Sequence, residues 1–568
     1  MRAFLFLFLC CFITCQRPQQ FADTIFVHGN IYTMDQAQPK AEGMAVLDGK
    51  IIAIGHLEAV MQFKGENTRV MELHGSTISP GFIDSHAHFM GLGYAKLNLD
   101  LAGTTSYAQI VQKIRDRVAH TPPGAWIVGR GWHQDKWDSV SGTMVRGFPT
   151  HALLSEVSPD HPVFLMHASG HLGLANGKAM ELAGITSATG YSGAGDIFED
   201  EVGNLTGIFN ESAMELIASH IPKNEAQQDQ LAFDAATKEC LSHGITSFHD
   251  AGVGQSTIDL YKKNIADGNM KVRIYAMLDG SDRLLLSSYF VTGPAIGLGQ
   301  DMLTIRSIKL YSDGALGSRG AWLLDAYSDM PDVHGHSIVP PDTLYRVSTD
   351  AIRYGFQVGT HAIGDRANRE VLNQYQKVFD NQECLPSDFR FRVEHAQHLH
   401  PDDISRFHQM GVIAAMQAIH MSSDRPWAID RLGQQRIEDG AYVWQKLLKS
   451  GAVIINGTDA PVEPIDPMAC FYASVSRKTL TGIPPGGYEP SQKMTREQAL
   501  RSYTLDAAFG AFEENIKGSL EPGKYADFVL FDQDFMQIEE DNIPATKVLM
   551  TVVNGEVVYT DPTYSSEK

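Results

Sequence analysis

Cysteine is scarce in this chain. Six occur in 568 residues, and Cys10, Cys11 and Cys15 crowd the N-terminus. The body keeps Cys240, Cys384 and Cys470, too scattered for a disulfide framework or a zinc-finger spacing. Blocks of lysine or arginine are also missing. Against 67 acidic residues stand 46 basic ones, a net charge of −21. That balance argues against nucleic acid or an anionic membrane surface as a partner. Past the N-terminus no apolar run is long enough to span a bilayer.

The start of the chain is different. Arg2 precedes AFLFLFLCCFIT, a short apolar core that reads as a secretory signal. Phe12-Ile13-Thr14-Cys15 is similar to a bacterial lipoprotein cleavage box with Cys15 as the lipidated residue. Residues 1–20 are thus expected to be a signal peptide or a lipoprotein leader. The expected location is the periplasm, or its membrane by a lipid on Cys15. No other membrane contact is expected.

The remainder, 43% hydrophobic and 20% charged overall, has the composition of a large globular core. Residues 21–78 and 519–562 are β-rich runs broken by turns such as Asp48-Gly49 and Asn554-Gly555. One small composite β domain built from both termini is expected. Residues 79–518 alternate helix and strand, with helices that stop at glycine before near-continuous apolar strands. Eight such strands appear: GFIDSH, ITSFHD, RIYAML, IRSIKLYSD, FQVGTH, FRVEH, VIAAMQ and VIINGTD. The expected fold is α/β, a TIM-like (β/α)8 barrel with a small composite β-sandwich domain. No glycine-rich phosphate loop follows the first strand, which disfavours an open doubly wound sheet. A large insertion after strand 1, about residues 100–230, is expected to cover the barrel mouth.

Chemistry-bearing residues gather at the strand ends. SPGFIDSHAHF closes the first strand with His86 and His88, which share a side if the chain stays extended. Lys309 lies at the end of the fourth strand, His361 of the fifth, His395 of the sixth and Asp459 of the eighth. The strand ends of a barrel converge on one mouth. Four histidines and an aspartate are donors that suit Zn²⁺, Fe²⁺ or Mn²⁺.

This pattern resembles the amidohydrolase superfamily: H-x-H after strand one, Lys after strand four, His after five and six, Asp after eight. KLYSDGALGSRG, THAIGDRAN, RVEHAQ and NGTDAPV are similar to its family 3 branch. The resemblance implies that His86, His88, His361 and His395 bind one or two divalent ions, most simply Zn²⁺, with Asp459 a near-ligand. It implies a carbamylated Lys309 bridging two ions, with Glu211 of GIFNESA as the alternative bridge. A bound ion brings the pKa of water toward ~7, and Asp459 would act as general base. His171, Ser318 and Arg319 are candidate substrate contacts. His249 and Asp250 are expected to support the ligands, and Asp84 to steady or tune one. Trp126, Trp132 and Trp137 are expected to pack, and His398 and His400 to face solvent.

The expected function is metal-dependent hydrolysis of a non-peptide C–N bond in a small-molecule amide, an N-acyl or N-formyl amine. Hydrolysis of a cyclic amide or deamination is the alternative within this superfamily. A non-catalytic solute- or metal-binding lipoprotein is the alternative outside it.

Overall fold

Eight parallel strands stand side by side in chain order. They are Phe82–Ala87, Ile245–Val253, Arg273–Asp279, Leu303–Tyr311, Gln357–Ala362, Arg392–His395, Ile413–Met416 and Ile454–Asn456. They are the eight runs expected from the sequence, each paired to the next in parallel register. The computed structural model describes residues 20–139, 142–222, 226–381 and 386–564. The apolar leader with Cys15 lies outside the described residues, as does Cys384. No helix among the described residues is long and apolar enough to cross a membrane.

Helices between the strands supply the barrel's outer layer. The helix Pro341–Tyr354 shows why the sequence was readable here. Proline opens its first turn, and Gly355 closes it in the left-handed region at φ 84° before the fifth strand begins. Leu344, Val347 and Ala351 repeat at helical spacing and are buried against the sheet.

The seam between the last strand and the first is closed by one side chain together with backbone bonds. Asp84 accepts from Thr458 N at 3.0 Å and from Thr458 Oγ1 at 2.5 Å, while Asp459 N donates to His86 O at 2.8 Å. A Cβ on Gly457 would lie 2.6 Å from both Asp84 Oδ1 and His86 N, so only glycine allows this approach. Burial raises the Asp84 pKa to about 7. Asp84 therefore holds the backbone around the first ligands; its carboxylate bonds are to Thr458 and to His86 N.

Both termini share one small sandwich. Thr77–Pro80, just ahead of the barrel, pairs antiparallel with Phe528–Phe531 from the far end of the chain. That six-stranded sheet faces a four-stranded sheet of N-terminal strands, with Phe26 and Phe528 edge to face at 4.9 Å in the core. The insertion forms a separate six-stranded mixed sheet from Leu99–Asp100 to Leu205–Asn210. Trp132 is buried in its core beside Trp137, as expected of packing aromatics.

One expectation fails outside the cavity. His398 is buried at 3% exposure, not solvated, whereas His400 caps the helix Pro401–Gln409. The chain turns inward at His398, whose N–H donates to Ile363 O, so the two rings part.

Candidate active site

His86, His88, Lys309, His361, His395 and Asp459 line one cavity at the C-terminal mouth of the barrel. His171 of the insertion joins them from above. The rings of His361 and His395 lie 4.4 Å apart, and those of His86 and His395 5.0 Å apart. Lys309 Nζ stands 3.4 Å from His86 Nε2.

Hydrogen bonds on the far side of the rings set the tautomers. His86 Nδ1 donates to Glu394 Oε2 at 2.5 Å, His88 Nδ1 to Ala251 O at 3.0 Å, and His395 Nδ1 to Gln417 Oε1 at 2.6 Å. Gln417 Nε2 donates to Ala415 O, which fixes that amide's orientation. With Nδ1 carrying the hydrogen, a neutral ring leaves its Nε2 lone pair free for the cavity. Burial keeps the rings neutral: His86 is lowered to about 4, and His361 and His395 fall well below the usual imidazole value.

Asp459 sits at the centre. Its Oδ1 lies 3.3 Å from His88 Nε2 and 3.8 Å from His86 Nε2, and its Oδ2 lies 3.5 Å from His420 Nε2. Burial alone would raise this carboxyl; His420, His88 and His395 outweigh it and hold Asp459 well below the carboxylate range. Asp459 Oδ1 and His361 Nε2 are nevertheless buried without a hydrogen-bond partner among the described residues. Buried orphan atoms of this kind call for a ligand. Two overlapping donor triads, His86–His88–Asp459 and His395–His420–Asp459, have their ligand atoms within 4.8 Å of one another. Neutral nitrogens around one carboxylate fit a divalent cation. Burial also lowers the Lys309 amine to about 8, so a neutral, nucleophilic form is accessible there.

Several contributors were not legible in the sequence. Glu394 is the nearest. It is fully buried, paired with Arg392 at 2.7 Å, and held below the usual range by Arg392 and His86 against the pull of burial. Neighbours on a strand face opposite sides, so Glu394 and His395 could not both be expected at one site. Glu394 stays buried behind His86, and His395, left-handed at φ 73°, reaches the cavity. His420 comes from the first turn of the helix Ala418–Leu432, after the seventh strand, where no ligand was expected. His249 and Asp250 act at one remove: His249 Nδ1 accepts from Arg392 Nη1 at 3.0 Å, and Asp250 holds Phe89 N at 2.9 Å, just past His88.

Three expected contacts are placed elsewhere. Glu211 stands behind His171 and does not line the cavity. Its Oε2 bonds His171 Nδ1 at 2.8 Å, and its buried Oε1 has no hydrogen-bond partner among the described residues. Arg319 is paired with Asp329 at 2.7 Å, and Ser318 Oγ donates to Ala315 O at 3.2 Å. Neither lines the cavity; the loop presents Ala315, Leu316 and Gly317 instead.

The amidohydrolase family profile matches residues 69–559. The chain belongs to the amidohydrolase family. This amidohydrolase is a hydrolase by fold and family. It is similar to the Protein LONG AFTER FAR-RED 3 of Arabidopsis thaliana, 31% identical over 95% of this chain and 92% of the relative. It is also similar to the N-substituted formamide deformylase of Arthrobacter pascens, 25% identical over 95% and 99% of the two chains. Among solved structures, an uncharacterized metal-dependent hydrolase from Pyrococcus horikoshii superposes with a TM-score of 0.73. It has 27% identity and covers 91% of this chain and 99% of that one.

Proposed function

We propose that this amidohydrolase is a metal-dependent hydrolase of linear amides, of the N-acyl or N-formyl amine class. The observation that carries the reading is the buried, unpaired Asp459 Oδ1 facing imidazole nitrogens whose opposite edges are already bonded. Its likeness to a formamide deformylase over nearly the whole chain supports the linear amide class.

His86, His88, His361, His395 and Asp459, with His420 beside them, would hold the ion or ions, and Zn²⁺ suits this nitrogen–oxygen set. When bound, the ion supplies an acidified water at neutral pH and a Lewis-acid contact for the amide oxygen. Asp459 takes the proton from the attacking water and returns it to the departing amine. A low pKa lets Asp459 stay ionised across the working range. His171 meets the substrate from the insertion. Burial opposes its protonation, but Glu211 outweighs that and raises its pKa. The protonated ring donates from Nε2 toward the oxygen that gains charge in the tetrahedral intermediate. Lys309, buried between His86 and Tyr311 with its pKa lowered to about 8, is the candidate for carbamylation through its accessible neutral form, and the added carboxylate would be a further ligand.

The test is elemental analysis with gentle mass spectrometry, followed by chelation and a substrate panel. Bound metal, a 44-dalton adduct on Lys309, and turnover of linear amides that vanishes on chelation and returns with Zn²⁺ are expected. Activity that survives complete metal removal would sink the reading. A preference for cyclic amides or ring amines would move the assignment within the family.

A further inference from the structure

Beside the donor cavity a second cavity of about 410 Å³ opens past His88. The two share His88, Ser169, His171, Tyr311 and Val462 in their walls, so they adjoin. The protein is strongly acidic, yet the wall of this side cavity contains no aspartate or glutamate among the described residues. Its one permanent charge is Arg130.

Arg130 is unusual in its partners. Nε donates to Pro461 O at 3.3 Å, Nη2 to Ala168 O at 3.0 Å, and Nη1 to the Met166 thioether at 2.9 Å. No carboxylate is paired with it among the described residues. The other arginines around the mouth are paired: Arg319 and Arg431 with Asp329, Arg425 with Glu489. Three of five guanidinium N–H groups are engaged, which leaves one on each terminal nitrogen. Gly170 is the residue over that end of the group. A Cβ there would stand 3.6 Å from Nη2, in ordinary contact, so Gly170 lies against the guanidinium where both cavity walls meet. Asp459 is the charge that favours the guanidinium from a distance, but with no carboxylate in contact its burial stays costly unless an anion visits it. Its anchor, Pro461, lies two residues past Asp459, a span of at most ~7 Å of backbone.

We propose that Arg130 is the recognition point for a carboxylate on the substrate, so that the preferred amides are anionic, of the N-acyl amino acid type. This rests on the amide-hydrolase reading above. The scissile carbonyl sits among the strand-end donors, and the carboxylate-bearing part extends past His88 to Arg130. A charged, forked hydrogen bond to carboxylate is the interaction a guanidinium makes best. The rival role is a clamp between the insertion and the loop after the eighth strand.

Two measurements on the purified, metal-loaded full chain test the proposal. The first is calorimetric binding of phenylacetate against phenylacetamide. The second is kcat/KM for N-acetylphenylalanine against N-acetylphenethylamine, which differ only by the carboxylate. Wild type is expected to prefer the anion of each pair by about 10- to 100-fold, the range of a charged hydrogen bond. Arg130→Met should collapse that ratio, mainly through KM. Val128→Glu is the second variant. It places a carboxylate two residues away on the same strand face and leaves the Arg130 anchors in place, and it should also collapse the ratio.

No anion preference in the wild type overturns the proposal and leaves amide hydrolysis standing. Equal losses for both partners of each pair, together with a fall in Tm, would make Arg130 a clamp and also overturn it. If neither amide is cleaved but phenylacetate keeps its Arg130-dependent preference, the anion site stands and the amide reading fails.

Discussion

Five imidazoles enter the cavity from the barrel, and two, His133 and His171, enter from the insertion. Three barrel rings are pinned by hydrogen bonds on their far edges, to Glu394, Ala251 and Gln417. On the insertion side, Glu211 pins His171, but His133 Nδ1 has no partner and its ring rests on His167 at 4.5 Å and Trp427 at 5.7 Å. Directional bonds fix position to a fraction of an ångström, whereas aromatic packing tolerates re-packing. On the function proposed above, the barrel side would hold the ion and the proton acceptor, and the insertion side would fit the substrate.

Substitutions on the two sides should therefore differ in kind. The largest effect is expected at the barrel's centre. Asp459→Asn should retain most of the metal by elemental analysis while kcat falls by about 10³-fold or more, since the proton acceptor is gone. Equal turnover would put the base elsewhere. Next, Glu394→Gln weakens the hold on His86 and should lower metal affinity by about 10- to 100-fold in competition with a chelator. An unchanged affinity would show that Arg392 alone orders that wall.

The third test concerns stability. His398 is buried with both ring nitrogens unpaired among the described residues, and burial lowers its pKa to about 3 from 6.5. The unfolded chain binds this proton first, so stability is lost as pH falls below about 6.5 toward 3. By linkage the loss from this group is about 2 kcal/mol between pH 7 and pH 5. His398→Phe should flatten the pH dependence of the urea midpoint by that amount. A midpoint with the same pH slope in the variant would show that His398 charges without cost. The smallest effect is expected on the insertion side. Glu211→Gln should cost about 10-fold in kcat/KM and leave bound metal unchanged. Loss of metal in that variant would return Glu211 to the ligand set and erase the contrast between the two sides.

Much of the barrel was legible because its signals are local. All eight strands, and the glycines that end the helices before them, follow from apolar runs and turn chemistry within a few residues. Six strand-end residues were legible for the same reason. Glu394, Gln417, His420 and Arg130 were not. Glu394 was hidden by the alternation rule, which sets it and His395 on opposite sides of the strand. His420 sits inside a helix, and nothing in the sequence around Arg130 shows that no carboxylate is paired with it among the described residues. Ser318 and Arg319 failed for the opposite reason: their loop lines the cavity with Ala315, Leu316 and Gly317 instead.

The sequence by itself determined the eight-stranded barrel, the shared terminal sandwich and which strand ends bear donors, because periodicity and turn residues act over short spans of chain. Only the tertiary structure decided which donors meet, which carboxylates stand behind them and that Arg130 has no paired carboxylate among the described residues. Those depend on closure of the barrel at Asp84 and Gly457, and on an insertion folded over the mouth. Both bring together groups hundreds of residues apart, whose pairing leaves no trace in local pattern.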